Sequence, residues 1–156
     1  MDEWAVIIVR SGSIVALTAI AAILARHSYK GSMGKVVVSI LGIFAGIAGA
    51  SHGLGEILQG DISSNGIFIA AWPAMTSVLG QQPAMTLIPN LLVSGIVTII
   101  LGSVITTWVA TRIRSKNGPL VLISLSIAML PVGGGLIPPL IGVAAGIIRA
   151  QLCKRI

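Results

Sequence analysis

The 156-residue sequence has few charged residues: Asp and Glu number only four, Lys and Arg ten, and the charged share is 9%. Because 55% of the residues are hydrophobic, the chain has too little polar surface to enclose a soluble core of this size. The composition therefore excludes an ordinary soluble globule. It predicts an all-α integral membrane helix bundle that forms a single transmembrane domain over residues 1–156, since helices satisfy their own backbone groups in lipid.

Cysteine is also scarce. The single Cys153 excludes an intramolecular disulfide and has no neighbours at the spacing of zinc ligands. The sequence shows no Ser/His/Asp order, no paired-carboxylate spacing and no phosphate-binding loop. We therefore expect neither a metal nor a cofactor, and the residues favour a non-enzymatic role while leaving an enzymatic one open.

What the sequence has instead is long apolar runs. Three of them reach the roughly 20 residues that a membrane-spanning helix needs: 4–24, 36–58 and 91–110. A fourth, 120–148, is interrupted by Pro131-Val132-Gly133-Gly134-Gly135-Leu136-Ile137-Pro138-Pro139, where glycine and proline disfavour regular helix. The sequence predicts three full spans and a fourth segment that is either a re-entrant hairpin or a kinked crossing. The hairpin is slightly favoured, because it returns Arg149 to the side of the other basic residues.

Basic residues are distributed unevenly between the loops. Segments 26–35 and 112–116 hold three each, whereas 59–90 holds none. The positive-inside rule then places both basic segments in the cytoplasm, and the loop 59–90 and the N-terminus outside the plasma membrane. These clusters account for much of the net charge of +6 without a nucleic-acid partner. We expect the external loop to cap the outer membrane surface and Asn90 to cap the third span.

The least ordinary part of the second run is Ser51-His52-Gly53-Leu54-Gly55-Glu56. His52, Glu56 and Gln59 share a helix face, and ionisable groups at membrane depth indicate a functional site. An antiparallel first span would bring Arg10 to the depth of His52, about one turn from Glu56. We predict a ligand or proton site formed by Arg10, His52, Glu56 and Gln59, with Arg10 paired to Glu56. The alternatives are an Arg10 that extends to the outer headgroups and a purely structural hydrogen-bonded pair of His52 and Glu56.

Glycine and proline mark two further features. Stripes of small residues let another helix approach closely, and we expect helix packing at Gly42, Gly46, Gly49 and Gly53 and at Gly142 and Gly146. Irregular backbone at membrane depth occurs where it is buried in protein or lines a wet cavity. The interrupted segment is therefore predicted to line a pathway, through Pro131, Gly133, Gly134, Gly135, Pro138 and Pro139.

Three segments together resemble a group of small prokaryotic multi-pass membrane proteins. They are Ser51-His52-Gly53-Leu54-Gly55-Glu56, Pro83-Ala84-Met85-Thr86-Leu87-Ile88-Pro89-Asn90 and Val132-Gly133-Gly134-Gly135-Leu136-Ile137-Pro138-Pro139. The resemblance covers about residues 36–148 and implies that the three segments belong together. It implies no activity, catalytic residue or ligand.

The chain combines an ionisable helix face with an interrupted helix, which favours an oligomeric channel or carrier for an ion or small solute. The expected partners of this protein are the lipid bilayer and further copies of the chain. Two other functions stay open. One is an accessory subunit whose glycine stripes dock a larger membrane protein. The other is a membrane-embedded, lipid-binding enzyme with His52 as general base, Glu56 orienting it and Arg10 holding an anionic head group.

Overall fold

The computed structural model describes residues 33–64, 66–69 and 84–154. Over these ranges the chain forms four helices and one pair of two-residue strands, so the predicted all-α class is confirmed for them. The helices are α1 (Met33–Gln59), α2 (Leu91–Arg112), α3 (Gly118–Met129) and α4 (Ile137–Lys154). The strands β1 (Phe68–Ile69) and β2 (Ala84–Met85) pair antiparallel in the loop between α1 and α2. The first predicted span, 4–24, lies outside the described residues.

Within the described part of the chain, α1 and α2 are long and apolar enough to cross a membrane. Their 27 and 22 residues correspond to about 40 Å and 33 Å of helix, and each extends a few residues beyond the predicted run. Asn90 caps α2 as predicted: its side chain accepts a hydrogen bond of 3.0 Å from the backbone N–H of Val93.

Glycines bring the backbones of α1 and α2 into direct contact. A Cβ atom on Gly53 would lie 2.5 Å from the carbonyl oxygen of Gly95, and one on Gly102 would lie 2.5 Å from the carbonyl oxygen of Gly46. Contacts this close leave no room for a side chain. The order of the contacts also shows that the two helices run antiparallel.

The other glycines of both stripes contact helices of the same chain. Gly42 lies against Val109 of α2, and Gly49 lies against Met129 of α3. The second stripe faces α3: Gly142 contacts Ser126 and Gly146 contacts Ile123, in an order that makes α3 and α4 antiparallel. Both glycine stripes therefore pack against helices of the same chain, as predicted for helix packing.

The run 120–148 forms a helical hairpin rather than a kinked crossing. Between its antiparallel helices the backbone turns at residues 130–136, here called the glycine turn. Within this turn Gly133 and Gly135 have positive φ angles of 101° and 73°, which are costly for residues with a side chain. Because α3 begins where α2 ends, α4 carries Arg149 back to that same end of the bundle.

The irregular backbone is shorter than predicted. Pro138 and Pro139 lie in the first turn of α4 and are buried, so the prediction that they belong to a non-helical segment was wrong. The physical reason is that backbone N–H groups in the first turn of a helix have no helical acceptor, so proline loses nothing there.

The end of the loop between α1 and α2 is hydrogen-bonded to the glycine turn. The N–H of Gly133 donates to the carbonyl of Met85 at 2.9 Å, and the N–H of Leu87 donates to the carbonyl of Pro131 at 2.7 Å. Between these bonds Thr86 and Val132 form an antiparallel bridge. Residues 84–87 therefore pair with the hairpin, while residues 70–83 of the predicted cap lie outside the described residues.

Candidate functional site

Two side chains of α1 face the glycine turn. The carboxyl group of Glu56 lies against Gly133, where a Cβ atom would be 2.6 Å from Cδ of Glu56. The half-buried imidazole of His52 lies against Gly135, where a Cβ atom would be 2.8 Å from Nε2. Residues four apart on a helix point the same way, so α1 brings both ionisable groups to the turn.

Hydroxyl groups hold the glycine turn from the opposite side. Ser94 and Thr98 of α2 both donate to the carbonyl of Val132, Ser94 at 2.9 Å. The Thr86 hydroxyl lies 2.8 Å from that of Ser94, and all three side chains are buried. A hydroxyl has one proton to donate. Either hydroxyl can donate in the bond between Thr86 and Ser94, and the Thr86 hydroxyl also donates to the carbonyl of Ile88 at 3.4 Å.

The carboxyl group of Glu56, in contrast, receives no hydrogen bond from these hydroxyls in the structure. Its side chain is 3% exposed, yet neither carboxyl oxygen accepts a hydrogen bond from any residue that the structure describes. The Ser94 hydroxyl lies beside the carboxyl and can turn its proton toward it or toward the carbonyl of Val132. Leaving a buried acceptor unpaired costs about 1–3 kcal/mol, and more when it is charged. A protein that keeps a carboxyl at this cost has a candidate site there.

The other predicted members of the site are placed differently. The Gln59 side-chain amide donates to the carbonyl of Gly55 on its own helix at 3.2 Å, and so gives Glu56 no hydrogen bond. Gly134 lies against Met129. Arg10 lies outside the described residues, so its pairing with Glu56 stays a prediction.

Sequence reasoning missed the three hydroxyl residues. Ser94 and Thr98 are four residues apart in the first turns of α2 and share a face next to Gly95. That spacing is a signal, because two hydroxyls on one face of an apolar helix can serve a common acceptor on a neighbouring segment. Thr86 lies in the segment Pro83 to Asn90 that we quoted for the resemblance, where nothing in the sequence marked its role.

No family model, curated protein or solved structure matches the chain. The interpretation of the site therefore rests on its own geometry.

Replacing Glu56 with Met is expected to stabilise the folded protein by about 1–3 kcal/mol, because it removes a buried acceptor that has no donor and keeps a side chain of similar length. Unfolding in detergent micelles, followed by circular dichroism, measures the change. Asp61→Asn is the matched control, since Asp61 is exposed and accepts a hydrogen bond from the Asn90 side chain; its effect should stay within about 0.5 kcal/mol. A Glu56→Met protein that is less stable than the wild type would show that the carboxyl has a stabilising partner.

Proposed function

We propose that the protein is a small integral membrane transport protein, a channel or carrier for a cation, in which Glu56 and the glycine turn form the site that the cation passes. The observation that carries this proposal is the buried Glu56 carboxyl, which lies against non-helical backbone and accepts no hydrogen bond from the described residues. Membrane transporters repeatedly place ion sites where interrupted helices meet, because helix ends and turns offer backbone groups and partial charges.

The distribution of polarity supports the membrane setting. Large apolar side chains are exposed on all four helices, among them Leu54, Ile100, Ile127 and Leu140, whereas several polar side chains are fully buried, among them Ser39, Ser94, Thr98 and Ser126. A protein in water would expose the second group and bury the first. We therefore place α1 and α2 across the bilayer and the glycine turn within it, with the lipid bilayer covering the apolar surface.

The arrangement proposed in the plasma membrane follows the charge pattern. It has three spans, from the runs 4–24, 36–58 and 91–110, and a re-entrant hairpin of α3 and α4. The end of the bundle that carries Lys35, Arg112 and Arg149 faces the cytoplasm, and the glycine turn opens toward the outside. Association of several copies through the apolar surface is part of the same proposal.

The geometry of His52 and Glu56 does not support the alternative of a membrane-embedded enzyme. It required Glu56 to orient His52 by a hydrogen bond, and Glu56 accepts none from His52 or from any other described residue. The same observation argues against a structural hydrogen-bonded pair of the two side chains. The accessory role was argued from the glycine stripes as docking surfaces. These glycines contact α2 and α3 of the same chain and so no longer support that role.

A flux assay tests the transport function. Liposomes that contain the purified protein are expected to release or take up a monovalent cation faster than protein-free liposomes do. Glu56→Gln should lower the rate by about tenfold or more, since it removes the charge that attracts the cation. Asp61→Asn is the control for loss of an exposed carboxylate and should leave the rate unchanged. Equal rates with and without protein for Li⁺, Na⁺, K⁺ and H⁺, or an unchanged rate in Glu56→Gln, would overturn the proposal.

A further inference from the structure

An exposed face of α2 carries an open groove at the end of the helix that leads into α3. The groove has a volume of about 410 Å³ and is lined by Ser103, Val104, Thr107, Trp108, Thr111 and Arg112. All of these side chains except the half-buried Trp108 are exposed. Residues 103–112 correspond to about 15 Å of helix, so the groove runs along α2 and ends at a guanidinium group.

The polar groups of Trp108 and Thr111 are satisfied within the chain. The indole N–H of Trp108 donates to the carbonyl of Gly118, where α3 begins, at 3.2 Å. The hydroxyl of Thr111 donates to the carbonyl of Thr107 on its own helix at 2.7 Å. The indole ring is therefore tied to the connection between α2 and α3, and Arg112 is the one charged residue of the lining.

The end of the bundle where the groove ends is positively charged. Basic residues lie at the start of α1, at the end of α2, in the connection to α3 and near the end of α4: Lys35, Arg112, Arg114, Lys116 and Arg149. The acidic side chains that the structure describes, Glu56 and Asp61, lie near the opposite end of α1 and beyond it. The guanidinium of Arg112 makes no hydrogen bond or ion pair with a described residue. Its counter-charge must therefore come from elsewhere.

The groove and its terminal cation match the two parts of a phospholipid molecule. The guanidinium of Arg112 has the planar donors that suit phosphate oxygens, and the groove beside Thr107 and Trp108 has room for an acyl chain that lies parallel to α2. Trp108 lies one turn inside Arg112, at the depth where tryptophan is enriched in membrane proteins. A soluble anion would use only Arg112, and an apolar partner helix would leave that charge without a counter-charge.

We propose that the groove at residues 103–112 binds one anionic phospholipid, with the head-group phosphate at Arg112 and an acyl chain along Thr107 and Trp108. This inference goes beyond the transport function. It rests on the proposed position of α2 across the bilayer and not on the carboxyl of Glu56.

Quenching of Trp108 fluorescence tests the lipid site. The sequence has three tryptophans, so the full-length protein with Trp4→Phe and Trp72→Phe reports on Trp108 alone. Bromine atoms on an acyl chain quench an indole that they contact. In phosphatidylcholine liposomes, the apparent affinity for brominated phosphatidylglycerol should exceed that for brominated phosphatidylcholine by about fivefold, as expected for one Arg at the membrane surface.

Lys116→Gln is the matched control for Arg112→Gln. Both variants remove one exposed positive charge from the same end of the bundle, but only Arg112 lines the groove. Arg112→Gln should remove most of the preference for phosphatidylglycerol, and Lys116→Gln should retain it. Equal losses in the two variants would mean that the lipid is attracted by the surface charge as a whole, and would overturn the site.

Two further results would overturn the lipid site. Absence of quenching by both brominated lipids would show that residues 4–24 or a second copy of the chain cover the groove. Removal of the preference by added glycerol phosphate, at the same concentration as the lipid, would show that Arg112 binds a soluble anion instead.

The lipid site and the transport function fail separately. A preference for phosphatidylglycerol that depends on Arg112, without flux in liposomes, would overturn the transport function and retain the lipid site. Flux with equal quenching by the two lipids would overturn the lipid site and retain the transport function.

Discussion

Gly133→Ala is expected to destabilise the folded protein by about 4 kcal/mol, as the sum of about 1–3 kcal/mol for a side chain at a left-handed φ and about 1–3 kcal/mol for overpacking. The backbone φ of Gly133 is 101°, and a Cβ atom there would lie 2.5 Å from Oε2 of Glu56. The carboxyl occupies the space that any side chain would need. Denaturant unfolding of the detergent-solubilised protein measures the loss.

Gly60→Ala separates the two contributions. Gly60 has a similar φ of 92°, but nothing lies within 4 Å of its Cβ position, so this variant should lose only the backbone part, about 1–2 kcal/mol. Adding Glu56→Ala to Gly133→Ala should recover much of the remainder, because it vacates the contested space. Equal losses in Gly133→Ala and Gly60→Ala would mean that the carboxyl does not lie against the turn.

Gly53→Ala is expected to destabilise the protein by roughly 2–3 kcal/mol, even though alanine is the better helix former by about 1 kcal/mol. Its Cβ atom would lie 2.5 Å from the carbonyl oxygen of Gly95 and 2.9 Å from Cβ of Thr98. Neither atom can move away without shifting α2, since one belongs to the backbone and the other is attached to it. The same unfolding measurement applies.

Gly49→Ala is the matched control on the same helix. Its Cβ atom would lie 2.5 Å from Sδ and Cε of Met129, and a methionine side chain has the freedom to rotate out of the way. The gain in helix propensity should then offset the rearrangement, leaving this variant within about 1 kcal/mol of the wild type. A larger loss in Gly49→Ala than in Gly53→Ala would contradict the close contact between α1 and α2.

The sequence was sufficient for the features that depend on local chemistry. The lengths of the apolar runs predicted α1 and α2, and the proline before Asn90 together with its short polar side chain predicted the cap of α2. The triple glycine, with prolines on both sides, predicted a break in the last run, because both residue types disfavour the interior of a helix. The spacing of His52 and Glu56 predicted that both side chains point in the same direction. It did not predict that they face the glycine turn.

The features that the sequence did not predict depend on contacts between distant segments. Serine and threonine in helices commonly donate to their own backbone, as Thr106 does to Gly102 and Ser39 does to Lys35. The spacing of Ser94 and Thr98 shows that they share a face, but it does not show their common acceptor, which is more than thirty residues away. The first turn of α4 was missed for another reason: two adjacent prolines end a helix when they follow it and begin one when they precede it.

The pairing between residues 84–87 and the glycine turn connects the loop between α1 and α2 to the surroundings of Glu56. Because Gly133 donates to the carbonyl of Met85 and Leu87 donates to the carbonyl of Pro131, a displacement of residues 84–87 would also move Val132, whose carbonyl accepts from Ser94 and Thr98. A substitution in this short segment is therefore transmitted to the carboxyl through main-chain hydrogen bonds, without any change in the side chains around Glu56.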